Sequence, residues 1–370
     1  MLLSYQFIIA YFFRREFIMT EQSNVTSTSR NNEIEFFRFI FICTIAIMHF
    51  SNSYFKSIPY FSGAYIGTEF FFLISGYMIM KSAHTKNLSS YEFTLCRIMK
   101  LYPHYITAFL LLFVSSMIVN GNGLIQWLKG FFGYIFELLF LHASGLKSFG
   151  LLNYPTWYLS SLLIAGFFIY SLIRINEKLY LTIIAPMAVL ATYSFFSANV
   201  GHLDVWGGSQ FLGLSDALTR GFAAMSLGSL SYAFSNYLKN KEFLLTKPVK
   251  ILLSFIEILL FAGVITGSAF SANTQYDFFY VLMLFAGITL AFSNLTYTSR
   301  LFSFRLFTYL GKISYPMYVY QLFLICMFCI FCPELPYSLG IFCFLLVTFV
   351  FSAVMDFLVS QLTKKLLSKR

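Results

Sequence analysis

Arg38 and His49 stand eleven residues apart inside the first long apolar stretch of the chain, residues 34–53. A charged side chain at the centre of a membrane helix costs roughly 2.5–3.5 kcal/mol on insertion scales, so one that is kept there points to a function. On an α-helix eleven residues turn through about 1100°, which leaves the two side chains within roughly 20° of each other and about 16 Å apart along the axis. One cation near one membrane surface and one titratable imidazole near the other suggest a polar track through the bilayer.

Two further groups bear on this pair. The next apolar stretch begins Gly67-Thr68-Glu69 and continues to Ser75-Gly76-Tyr77. It runs back from the opposite surface, so Glu69 enters at about the depth of His49. A carboxylate beside an imidazole fixes its tautomer and raises its basicity. Ser75 and Gly76 are small enough to let helices approach closely. In the connection that follows, Arg97 and Lys100 share one face of a helix. With Arg38 they would form a cytoplasmic site for a phosphate-bearing ligand.

The elements that position these residues are membrane helices. The chain is 58% hydrophobic and only 11% charged, with a mean hydropathy of +0.74, against about 25% charge in soluble domains. The expected fold is all-α and polytopic, one membrane domain over residues 34–362, with spans at 34–53, 64–82, 102–119, 157–173, 179–198, 218–238, 251–271, 277–295, 313–332 and 338–362. The formal charge of +10 is not read as nucleic-acid affinity, because the excess cations sit in short connections where they set topology. With ten spans, the basic connections 81–100, 174–178, 239–250 and 300–312 and the tail 363–370 all fall on the cytoplasmic side, with both termini. If Phe131–Ala143 also crossed, the lysines at 239–250 would face outward. That segment carries Glu137 and His142 and is expected to be re-entrant or to lie on the surface, lining a cavity.

Residues 1–33 read as a cytoplasmic leader. The apolar run within 1–18 is too short to span and lacks a basic region and a cleavage site, so Met19 is the expected natural start. Cys326, Cys329 and Cys332 recur every third residue, but only Glu334 stands near them, so they read as packed thiols and no metal is expected.

Five motifs in order resemble the membrane-bound acyltransferase-3 family: Arg38-x10-His49, Phe71-Phe72-x-x-Ser75-Gly76, Arg97-x-x-Lys100-x-Tyr102-Pro103, Trp157-Tyr158-Leu159-Ser160 and Ser314-Tyr315-Pro316-Met317-Tyr318. The resemblance covers about residues 32–362. It departs from the family pattern at Cys96 and Lys100, where arginines are common, at Leu162, where the family has an acid, and at Gln321, where it has a histidine.

The resemblance implies an enzyme of the cytoplasmic membrane that moves an acyl group, usually acetyl, from cytoplasmic acyl-CoA to a hydroxyl of a cell-surface polysaccharide or its lipid-linked precursor. Acyl-CoA is then a co-substrate and no cofactor is permanently bound. His49 is the expected general base, oriented by Glu69, with Arg38, Arg97 and Lys100 on the donor phosphates. Ser75, Trp157 and Tyr315 are the expected substrate contacts. Each has a plainer alternative. The alternative for His49 is a structural histidine bonded to a neighbouring hydroxyl, for Arg38 a side chain that snorkels to the surface, and for Glu69 an unpaired interfacial carboxylate. Arg97 and Lys100 serve equally as topology signals, Trp157 and Tyr158 as interface anchors, and Tyr315-Pro316 as a helix entry. Outside the enzyme class, a transporter or flippase for a glycolipid or carboxylate would also line a path with these groups, but the repeat symmetry and broken helices of many transporters are not seen. A glycan polymerase would want larger external loops.

Overall fold

The structure, a computed structural model, describes residues 31–368 apart from 58–59, 122, 147–149, 210, 212 and 242–244. The expected leader up to Arg30, with Met19, and the last two residues of the basic tail lie outside the described residues.

The first helix, α1 (Asn32–Phe50), starts where Asn31 caps it: Oδ1 accepts the backbone N–H groups of Glu33 and Ile34 at 3.1 and 3.4 Å. Glu33 and Glu35 in its first turn suit the positive end of the helix dipole. Arg38 and His49 therefore lie on one uninterrupted helix. It is followed by α2 (Gly67–Thr85) and α3 (Ser90–Val119). α3 opens with a reciprocal capping box between Ser89 and Glu92. Two short helices, α4 (Leu124–Gly133) and α5 (Ile135–Leu138), lead to α6 (Trp157–Leu179) and α7 (Ala185–Asn199). The second half holds α8 (Asp216–Lys239), α9 (Lys247–Phe270), α10 (Tyr276–Ala291), α11 (Thr298–Leu301), α12 (Arg305–Phe331) and α13 (Tyr337–Ser368). Among the described residues the one β pairing is a single bridge between Phe211 and Leu214.

The ten expected spans coincide with helix, except that 251–271 and 313–332 run one residue and 277–295 four residues past the helix ends. By length and apolarity alone, six helical runs could cross a membrane: 32–55, 90–119, 154–199, 247–270, 305–331 and 337–365. The run 154–199 contains α6 and α7. It breaks at Asn176 (φ −158°, ψ 92°), whose side chain accepts the Leu179 N–H at 2.9 Å and so caps the second helix.

α2 and α8 are not among the six, and their place in the bundle explains why. They form its most extensive helix pair, with α6 and α7 packed on α8. Helices shielded from lipid by other helices need small residues for close packing rather than large apolar ones. A Cβ on Gly76 would come within 1.9 Å of the Met225 carbonyl, and one on Gly228 within 2.0 Å of the Leu73 carbonyl. The two glycines thus let the backbones touch from both sides, as the small pair Ser75-Gly76 anticipated for α2.

Residues 131–143 form no continuous helix. Glu137 is fully buried there, and its carboxylate accepts the N–H groups of Leu152 and Asn153 at 2.6 and 2.9 Å. The Tyr105 hydroxyl donates to the Glu137 carbonyl, and that of Ser160 to the Phe140 carbonyl. The segment is thereby fastened to α3 and to the start of α6.

Candidate active site

Tyr158, in the first turn of α6, is the meeting point of the groups at the Arg38 end. Its hydroxyl lies 3.5 Å from Ser75 Oγ on α2. Arg38, Arg97 and Glu69 all act on it electrostatically. Its ring packs 4.4 Å from that of Phe72 and 6.0 Å from that of Tyr318 on α12. Arg38 is held by Glu35, one turn earlier, at 3.2 Å. The guanidinium of Arg97 lies 4.7 Å from the centre of the Phe93 ring, and its Nη1 is buried without a hydrogen-bond partner. An unmet buried donor costs about 1–3 kcal/mol, so this nitrogen is poised for a ligand or water. Lys100, one turn further on, is exposed.

One turn before Tyr158, in the 3-10 turn Tyr154–Thr156 that leads into α6, Tyr154 reaches the other end of the pair. Its hydroxyl lies 3.1 Å from His49 Nδ1, with the rings edge to face. When Tyr154 accepts from Nδ1–H, His49 Nε2 is left unprotonated and able to take a proton. Tyr154, in the turn, thus touches the imidazole, and Tyr158, at the start of the helix that follows, stands in the field of Arg38 and Arg97. His49, Arg97 and Tyr158 are surrounded by protein yet keep accessible surface, as side chains do when they border an internal space.

Glu69 does not orient His49. Its carboxylate is taken by Arg220 on α8, with Nε 2.5 Å from Oε1 and both side chains fully buried. The Tyr193 hydroxyl donates to the other oxygen at 2.7 Å. Arg220 also donates to Thr68 Oγ1 at 2.5 Å and to the carbonyls of Tyr65 and Val205 at 3.1 and 3.4 Å. A fully buried guanidinium outcompetes an imidazole for a carboxylate, since only the guanidinium carries a fixed charge. The plainer alternative for His49, a bond to a neighbouring hydroxyl, describes its actual partner, Tyr154.

The other expected contacts divide. Ser75 and Arg97 come together around Tyr158. Trp157 does not face that space: its ring stands 5.5 Å from the Arg220 guanidinium, and it is 9% exposed. Tyr315 is half-buried, but its hydroxyl donates to the Leu101 carbonyl at 2.7 Å and braces α3 close to Pro103. Gln321, at the family's histidine position, is fully buried with both amide atoms unbonded.

Sequence reasoning missed Arg220 and Tyr154, and singled out Tyr158 as part of the Trp157–Ser160 motif and as an interface anchor. Arg220 carried a signal, being a lone cation inside the segment 218–238. Tyr154 carried none, because it lies in a turn far from His49 in sequence. His142 also adjoins this region, with Nε2 3.4 Å from Thr156 Oγ1. Burial pushes its imidazole down to about 4, so it is neutral at physiological pH. Burial likewise pushes the Glu137 carboxyl up, against the pull of its two backbone N–H bonds.

Long apolar helices packed into one bundle define a multi-pass membrane protein. Residues 31–357 match the family described as "Acyltransferase domain", acyltransferase-3, and the chain belongs to that family of membrane acyltransferases. Comparisons with curated proteins and with solved structures each return no match.

Proposed function

We propose that the protein is an O-acyltransferase, acting as an O-acetyltransferase, that takes its acyl group from cytoplasmic acyl-CoA and passes it to a hydroxyl of a surface polysaccharide or its lipid-linked precursor. The observation that carries this reading is that one bundle holds two half-buried pairs, Arg97 acting on Tyr158 and His49 bonded to Tyr154, with both tyrosines at the head of one helix. In this reading Arg38, Arg97 and Lys100 hold the donor's phosphates at the cytoplasmic mouth, and the pantetheine arm carries the thioester inward past Ser75. Both chain termini lie in the cytoplasm.

His49 Nε2 takes the proton of the acceptor hydroxyl as its oxygen attacks the thioester carbonyl. The tetrahedral intermediate collapses with rupture of the C–S bond, and the departing thiolate receives the proton from the imidazolium. The ester and free CoA are formed in equal amounts. Tyr154 keeps Nδ1 protonated throughout, the service that a carboxylate gives in many histidine sites. The Glu69–Arg220 pair acts at a distance, by fixing α2, and with it Ser75, against α8.

The test uses purified protein in lipid nanodiscs with acyl-labelled acetyl-CoA and envelope glycan stripped of esters by mild base. Label should appear in the glycan as base-labile ester, with an equal release of CoA. Retention of all label on CoA, with glycolipid moving across vesicle membranes instead, would assign the path to transport.

A further inference from the structure

Trp206 is 40% exposed, yet the loop that bears it is pinned. The Leu203 N–H donates to Asp277 at 2.8 Å, the Val205 carbonyl accepts from Arg220, and the Gly208 carbonyl accepts from the Asp216 N–H at 2.9 Å. Leu203 and Val205 are buried while Asp204 and Trp206 point outward. A large apolar ring held out on a fixed loop needs a reason. Its neighbour supplies one: the indole lies 6.4 Å from the Tyr154 ring at an interplanar angle of 30°, and Tyr154 holds His49. The exposed indole, the phenol and the imidazole are thus successive neighbours from the surface inward to His49 Nδ1.

We infer that Trp206 and Tyr154 form an aromatic platform on which a pyranose ring of the acceptor lies, placing one of its rim hydroxyls at His49. The inference rests on the proposed transfer to a glycan and specifies how that acceptor is held. A pyranose has a face of C–H groups, weakly positive, and a rim of hydroxyls. The C–H face suits the negative face of an indole, and the exposed Asp204 carboxylate beside Trp206 can accept from rim hydroxyls. The connection 199–217 contains Asp204 and Asp216 and no lysine or arginine, so an anionic headgroup would meet like charge there. An indole serving only as a lipid anchor would have no reason to stack over a residue that touches the imidazole.

The test combines kinetics with fluorescence, using de-esterified envelope polysaccharide from cells lacking the gene. Trp206→Ala should raise the KM for this glycan about tenfold, leaving the KM for acetyl-CoA unchanged. Trp206→Tyr should restore most of the glycan affinity and Trp206→Leu should not, because leucine keeps the apolar bulk and loses the π face. The chain has three tryptophans, and saturable quenching by the glycan should be seen in the wild type and vanish in Trp206→Tyr. A leucine variant equal to wild type, equal losses for both substrates, or quenching that persists in Trp206→Tyr would each overturn the platform. Quenching is read without turnover. A wild type that is quenched but transfers no acyl group would therefore overturn the proposed reaction and keep the sugar site, and one that transfers without quenching would do the reverse.

Discussion

Arg220 and Glu69 close an ion pair across the α2–α8 crossing with no solvent exposure on either side, Nε lying 2.5 Å from Oε1. The same crossing is where Gly76 and Gly228 bring the backbones into contact. Charge and packing therefore hold one interface together, and α2 carries both Ser75 and Glu69. Removing one partner of a buried pair leaves the other uncompensated, at a cost of about 3–5 kcal/mol. Arg220→Met is expected to lose most of its folded yield or melt far below wild type in detergent, as followed by size-exclusion fluorescence. The double variant Arg220→Met with Glu69→Gln should recover part of that loss, since no unpaired charge remains. A single variant as stable as wild type would remove the pair from the scaffold.

His49→Ala is expected to lower acyl transfer by 10²–10⁴-fold, the usual contribution of a general base, while expression and membrane insertion stay normal. Glycan ester content and detergent melting read the two effects separately. Near-normal ester on the glycan would take the central residue out of the reaction.

Tyr154→Phe keeps the ring beside Trp206 and removes only the hydroxyl at Nδ1. A neutral hydrogen bond is worth about 0.5–1.5 kcal/mol, so kcat should fall up to about tenfold with little change in KM for the glycan. The ring and the hydroxyl thus have separate signatures: loss of the first weakens acceptor binding, loss of the second slows the reaction. A change confined to KM would mean that the hydroxyl does not set the state of the imidazole.

Much of this was legible in the sequence because it depends on local spacing. Arg38 and His49 share a helix by periodicity alone, and Ser75-Gly76 announces a close crossing by size alone. The partner of Glu69 was not legible. Depth in the membrane places Glu69 level with His49, but depth does not say which helix stands beside it, and Arg220 lies 151 residues further on. The role of Trp157 was misread for the same reason, since an indole at a helix start suits an interface as well as a buried guanidinium. α2 and α8 show the limit of composition itself: central helices shed apolar bulk because their neighbours, not lipid, surround them.

The proposed orientation of the bundle, argued from the distribution of cations, can be read by labelling. In a background with the native cysteines replaced, Gly207→Cys should react with an impermeant thiol reagent applied to intact cells, because a side chain there meets open space. Lys241→Cys, also exposed, should react only after the membrane is opened, because basic connections stay in the cytoplasm. The reverse pattern would mean that 131–143 also crosses, and reaction at both positions would mean an even number of crossings between them, so that 218–238 does not cross once.

Arg97 offers the sharpest reading of the donor end, because its Nη1 is buried and unbonded. If acyl-CoA phosphate or carbonyl oxygens satisfy that nitrogen, Arg97→Ala should raise the KM for acetyl-CoA on the order of tenfold or more, a charge-assisted contact being worth about 1.5–3 kcal/mol. The KM for the glycan should change little. Arg97→Lys should recover only part of the loss, because an ammonium cannot make the bidentate contact of a guanidinium. A donor that lacks the nucleotide, such as acetyl-pantetheine, separates the two kinds of oxygen. Indifference of that donor to the substitution places the contact on the phosphates. An equal loss with both donors places it on the pantetheine amides or the thioester, deeper toward Tyr158. Loss of folded protein in Arg97→Ala, with normal folding in Arg97→Lys and no change in either KM, would assign the residue to the positive charge that fixes topology and leave the donor's phosphates to Arg38 and Lys100.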